Sequence, residues 1–151
     1  MDTHSSVKLQ NSATDFFVWD PQKLLLRIDS LDQEHQGIIR LMNELYVSVQ
    51  SGESRTRQSE RLGKLFKVTV DHFSHEEAYM QKVAYPDFER HRLVHKNLLE
   101  KLQKFAGAFN SGQSELGEEF FNFLKVWLAS HIAVIDMKYS HHSHERQKVA
   151  G

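Results

Sequence analysis

The chain has 151 residues, with 19 Lys+Arg against 20 Asp+Glu, ten histidines and no cysteine. This length fits one compact domain, and a formal net charge of −1 offers no electrostatic reason to bind nucleic acid or an anionic membrane. Without cysteine there is no disulfide framework, iron–sulfur cluster, thiolate zinc or thiol catalysis, and the composition suits a reducing compartment. No signal-peptide-like apolar run occupies the first twenty residues, and no later window approaches about 20 uninterrupted apolar residues. No membrane insertion and a cytoplasmic location are therefore expected.

Residues 1–18 read as a polar N-terminal tail. Across residues 1–19 the chain is polar with a late aromatic cluster, Phe16, Phe17 and Trp19, which suggests an arm docked on an apolar surface. A first helix is expected over Ser30–Gln50, with Ser30 and Gln33 spaced as a capping box. Its apolar positions are Leu31, Ile38, Met42, Leu45 and Val49, and His35 fills the gap in that stripe. SGES at 51–54 is a loop. A second helix runs from about Arg55 to Val83, its stripe being Leu62, Leu65, Thr69, His72, Glu76 and Met80. Tyr85-Pro86-Asp87 breaks it and can open the next helix, since proline suits a first turn.

The third helix spans about Asp87–Phe109, with Phe88, His91, His95, Leu98, Leu102 and Phe105 on one face. After the loop NSGQS at 110–114, a fourth runs from about Glu115 to Tyr139. It aligns Leu116, Phe120, Leu124, Trp127, His131 and Ile135. Nothing alternates with strand period over a useful length. The expected architecture is all-α: an up-down-up-down four-helix bundle over 19–140 with an N-terminal arm, followed by a polar C-terminal tail at 141–151.

Five of the ten histidines (His35, His72, His91, His95 and His131) replace core residues on the stripes of four different helices, and Glu76 joins them one turn after His72. An unsatisfied buried polar group costs about 1–3 kcal/mol, whereas a whole domain is stable by only about 5–15 kcal/mol. Six such groups in one core therefore need a common partner. A metal supplies one, because neutral imidazole is the commonest metal ligand. His91 and His95 are i,i+4, as are His72 and Glu76, so each pair projects from one face. HRLVH lacks the adjacent glutamate of a zinc-protease HExxH helix. Asp136 lies five residues after His131, about 140° off its direction on a regular helix. Either it is an ordinary surface acid, or the helix widens there into a π-turn, a feature found at functional sites.

Together these segments resemble hemerythrin, in its bacterial single-domain form. The matching pieces are Trp19, DQEH ending at His35, HFSHEEAYM from His72, Tyr85-Pro86, HRLVH from His91, and WLASHIAVID from Trp127 to Asp136. The resemblance covers about residues 19–140 and implies a cofactor of two non-haem iron ions inside the bundle. One iron would take His91, His95 and His131, and the other His35 and His72. Glu76, Asp136 and an oxo or hydroxo group would bridge them. Asp136 then becomes a ligand, and a helix distortion near 131–136 is expected. Counting ligands leaves one open position on the two-histidine iron, where dioxygen, the expected partner, would bind reversibly.

A shell of five imidazoles and two carboxylates differs from the carboxylate-rich, Glu-x-x-His shells of ferritin-like di-iron proteins. It argues for carrying dioxygen rather than oxidising with it, and no obvious general acid stands nearby. Ile38, Phe73, Trp127 and Leu128 are candidates for an apolar oxygen pocket, with ordinary core packing as the competing reading. The alternatives are a di-iron oxidase, peroxidase or nitric-oxide-handling enzyme, and an oxygen or redox sensor module. His4, His75, His141, His142 and His144 fall outside the ligand set. His75 reads as surface or as support for a ligand, Glu77 as directed to solvent, and SHHSHE at 140–145 as a solvated polar tail. Scattered lysines and arginines identify no protein partner.

Overall fold

The computed structural model describes residues 15–150, with side chains to Arg146. Among them every element is helical: α1 Pro21–Leu24, α2 Asp29–Gln50, α3 Arg55–Lys82, α4 Phe88–Asn110, α5 Glu118–Ser130, a π-turn His131–Asp136, and α6 Met137–Ala150. The architecture is the expected four-helix bundle, with α5, the π-turn and α6 together forming its last member.

Each long helix buries the stripe that its sequence presents. On α3, Leu62, Leu65, Thr69, His72, Glu76 and Met80 are all buried, and on α2 the buried set includes Leu31, His35, Ile38, Met42 and Leu45. Residues 1–14 of the expected arm, His4 among them, lie outside the described residues; its end is packed on the bundle. Phe17 is buried, its backbone exchanges two 2.9 Å hydrogen bonds with the Asn43 side chain, and Phe16 stacks on Tyr46. The stretch Glu118–Arg146 is long and apolar enough by composition to cross a membrane, but here its inward face is bundle core.

Three details differ from the sequence expectation. The Ser30–Gln33 capping box does not form; α2 starts at Asp29, and buried Asp32 instead accepts from the backbone N–H groups of Leu26 and Ile28. A carboxylate three residues inside the helix thus satisfies the donors ahead of it. Pro86 does not open the third helix, whose N-cap is Asp87. Over 141–150 the expected polar tail is helical, because α6 runs to Ala150; Gly151 lies outside the described residues. Ser140 donates to the Leu26 carbonyl at 2.7 Å, His144 Nε2 lies 3.2 Å from the same oxygen, and His142 Nε2 donates to the Val83 carbonyl at 2.8 Å. These short polar side chains tie α6 to the loops at the end of the bundle.

Helices α2, α3 and α4 end alike. In each, the second residue past the last helical one has positive φ (Gly52 75°, Ala84 54°, Gly112 84°). The next N–H then bonds back: Glu53 to Ser48, Tyr85 to Met80 and Gln113 to Ala108, at 2.9–3.0 Å. This is the Schellman closure, for which glycine is the favoured residue; only the second closure lacks it.

Candidate metal centre

The helices bring seven buried side chains to one place. His35 comes from α2, His72 and Glu76 from α3, His91 and His95 from α4, and His131 and Asp136 from the two ends of the π-turn. The π-turn explains how a five-residue spacing can work. One extra residue in the turn shifts the phase of everything after it, so Asp136 faces the core and Ile135, expected there, is only half-buried. From Asp136 the inward stripe restarts at helical spacing with Tyr139, Ser140 and Ser143, all buried.

All five imidazoles aim Nε2 at the two carboxylates, and each carboxylate divides its oxygens between two groups of histidines. Glu76 Oε1 lies 3.0 Å from His95, while its Oε2 lies 3.2 Å from both His35 and His72. Asp136 Oδ1 lies 3.0 Å from His91 and from His131, and its Oδ2 lies 3.3 Å from His35. The donor atoms gather accordingly into one set of Glu76, His91, His95, His131 and Asp136 and a second of His35, His72 and Glu76.

The chemistry of these atoms fits metal ions. Nε2 of His72, His91, His95 and His131, Glu76 Oε1 and both oxygens of Asp136 are buried without a hydrogen-bond partner. Native interiors leave few such atoms, and here they converge on one another. Lone pairs that face each other across about 3 Å are suited to sharing a cation.

Two histidines are held from behind. His72 Nδ1 donates to Glu34 Oε1 at 2.6 Å, and His95 Nδ1 donates to Glu77 Oε2 at 2.9 Å. Both bonds fix the tautomer that leaves Nε2 free for the interior. The expectation that Glu77 points to solvent is therefore corrected: it reaches from α3 across to α4. Tyr139, wholly buried, donates its hydroxyl hydrogen to Glu76 Oε2 at 2.8 Å. Sequence reasoning missed Glu34 and Tyr139 as site residues. Their only sequence signals are adjacency to His35 and a three-residue offset from Asp136.

Electrostatics reflect this crowding. Burial alone would lower His72, but the charge of Glu76, the bond to Glu34 and the 3.2 Å approach of the Glu76 carboxylate raise it to about 10. Burial alone would raise Glu76, yet the charge of His72 and the imidazoles of His35, His72 and His95 within 3.0–3.2 Å hold it well below the usual carboxylate value. Burial and the charge of Glu76 push the Tyr139 phenol well above its ordinary value.

Beside the donors lie aromatic and aliphatic side chains. Phe73 stacks on His95, with ring centroids 3.8 Å apart and planes 6° apart, and it meets Trp127 edge-on. Ile38, Phe73, Trp127 and Leu128 are all buried.

A family model described as the hemerythrin HHE cation binding domain matches residues 26–142. The chain belongs to the hemerythrin family. It is 30% identical to a bacteriohemerythrin of Stenotrophomonas maltophilia over 123 residues, which is 82% of this chain and 78% of that one. A hemerythrin from Sipunculus nudus is 30% identical, covering 83% of this chain and 92% of its own. A myohemerythrin of Riftia pachyptila is 31% identical, with 82% and 90% covered. A crystal structure of wild-type hemerythrin superimposes with a TM-score of 0.80 at 26% identity, covering 85% of this chain and 98% of that chain. Family membership carries the function expected from the sequence: a hemerythrin binds dioxygen at a non-haem di-iron centre and is an oxygen-binding protein rather than an enzyme.

Proposed function

We propose that His91, His95 and His131 hold one iron, His35 and His72 hold the other, and Glu76 and Asp136 span the two. The observation that carries this assignment is the split of each carboxylate. One oxygen of Glu76 and of Asp136 stands among His91, His95 and His131, while the other oxygen stands beside His35. Two irons held there would supply the site for dioxygen and the electrons for binding it reversibly.

The remaining residues set the conditions around that site. Glu34 and Glu77 orient His72 and His95 through Nδ1, and Tyr139 holds one oxygen of Glu76 in place. Ile38, Phe73, Trp127 and Leu128, all buried beside the donors, would keep water away from metal ions held there. Within the bundle 19–140 this makes an oxygen carrier, store or scavenger. A cysteine-free composition is compatible with a cytoplasmic location, and a net charge of −1 does not favour a nucleic-acid partner.

The test is to purify the protein, measure iron per chain, and follow the visible spectrum through repeated oxygenation and deoxygenation. Two irons with a spectral change that reverses on each cycle are expected. Steady consumption of reductant with oxygen would replace this reading with an oxidase. No iron after iron-replete expression would overturn the ligand assignment.

A further inference from the structure

The two carboxylates behind the ligand histidines are not equivalent. Among the described residues, Glu77 is bonded at one oxygen, to His95. Glu34 is gripped at both oxygens: Oε1 accepts from His72 Nδ1 and Oε2 accepts from His75 Nδ1, each at 2.6 Å. His72 is buried, Glu34 is 29% exposed at its side chain, and His75 is 60% exposed. A continuous hydrogen-bonded chain, His75–Glu34–His72, therefore runs from solvent to a donor atom of the metal centre. His35, whose Nε2 faces the same carboxylate oxygen as that of His72, has no hydrogen-bond partner at Nδ1 among the described residues.

We propose that Glu34 is a positioning residue for the iron held by His35 and His72, and that exposed His75 is its anchor, so that a surface imidazole sets the donor strength of a buried ligand. The inference rests on the ligand assignment given above. A carboxylate accepting from Nδ1 increases the electron density that Nε2 offers to a metal, and partners of this kind alter metal affinity by about 10–100-fold. A carboxylate free to rotate would lose part of that effect. His75 removes the rotation by fixing the second oxygen. The resulting asymmetry falls on the iron with fewer histidines, where one more unit of donor strength has the larger effect on the ferric state. His75 is adjacent to Glu76 in sequence but points outward, so its substitution leaves every proposed ligand in place.

Wild-type protein, Glu34→Ala, Glu34→Gln, His75→Ala and the surface control His141→Ala are loaded with iron and compared in three measurements. These are iron per chain, the rate at which a chelator strips iron, and the midpoint potential of the loaded centre. Glu34→Ala is expected to weaken iron retention about 10-fold or more and to raise the potential, because the ferric state loses an electron-rich donor. Glu34→Gln, which still accepts from His72 but carries no charge, should shift less. His75→Ala should move both quantities in the same direction by a smaller factor, and His141→Ala should move neither. If Glu34→Ala does not fold, His75→Ala, altered only at an exposed ring, carries the test. Wild-type retention and potential in His75→Ala would overturn the anchoring role. A wild-type chain that takes up no iron would overturn the ligand assignment and this inference together.

Discussion

The hydroxyl of Tyr139 donates to Glu76 Oε2 at 2.8 Å, linking α6 to α3 across 63 positions of sequence. Both side chains are wholly buried, so the bond is made to a carboxylate with no solvent to replace it. Hydrogen bonds to charged groups contribute about 1.5–3 kcal/mol. Tyr139→Phe keeps the ring and removes the donor. The metal-free protein should lose about 1–3 kcal/mol of stability in urea unfolding. A variant as stable as the parent would show that Glu76 is held without the phenol.

Histidines outside the metal centre separate structural from ligand roles. His131 aims Nε2 at Asp136, whereas His142 commits its Nε2 to the Val83 carbonyl. His131→Ala should retain markedly less iron than the parent. His142→Ala should keep two irons per chain and lose about 0.5–1.5 kcal/mol of stability, the usual net value of one such bond. Equal iron loss in the two variants would break the ligand assignment.

Acidity affects the metal-free and the loaded protein in opposite ways. A carboxylate held below its ordinary value, as Glu76 is, contributes stability above about pH 4.5 that is lost as the pH falls. An imidazole raised to about 10, as His72 is, contributes stability that is complete below its ordinary value of 6.5 and is lost as the pH climbs towards 10. The metal-free protein should therefore melt highest between about pH 4.5 and 6.5 and fall from there to pH 9. Metal binding requires deprotonated donors, so the increment in Tm on loading should grow over the same range. A metal-free Tm that rises from pH 7 to 9 would contradict the pairing of these groups.

Ala84 occupies a position where the chain's other two Schellman closures carry glycine. Holding an L-residue at φ 54° costs about 1–2 kcal/mol, and Gly gives back about 0.4–1 kcal/mol through the unfolded state. Ala84→Gly should stabilise the protein by about 0.5–1 kcal/mol, measured by urea midpoint at unchanged m-value.

The π-turn can be tested by shortening it. Val134 lies within it and is 56% exposed. Deleting it places the histidine and the aspartate four apart, an offset that a regular α-helix puts on one face, and leaves Tyr139 and Ser140 in phase behind them. The deletion should fold and still bind iron, unlike deletion of a residue within α3. Loss of the fold would show that the wider turn is needed for packing itself.

Much of this was legible in the sequence because helical spacing and burial share one cause. The six-position stripe of α3 is buried without exception, since its apolar period is regular from Leu62 to Met80. On the fourth helix regular phase holds only to His131; the five-residue spacing left a surface Asp136 and a π-turn as open readings, and the family resemblance decided between them. Ser140, His142 and His144 were misread for a different reason. They are polar residues whose partners are loop carbonyls at Leu26 and Val83, and no pattern along one helix records a carbonyl belonging to another segment. Glu34 and Glu77 escaped likewise, since helix-face arithmetic places a carboxylate's Cα but not the reach of its side chain across to a neighbouring helix.

The split carboxylates have a topological consequence. Because the proposed donors come from all four members of the bundle, a loaded centre would tie residues about a hundred positions apart, His35 to Asp136, through a single point. In a chain with no cysteine, no disulfide can play that part. Loop-closure arguments assign a cross-link of about that span some 4–5 kcal/mol, of the same order as a domain's whole stability. Stripping the metal would then do to this protein what reduction does to a secreted one: it would release the ends of a closed loop and let them part.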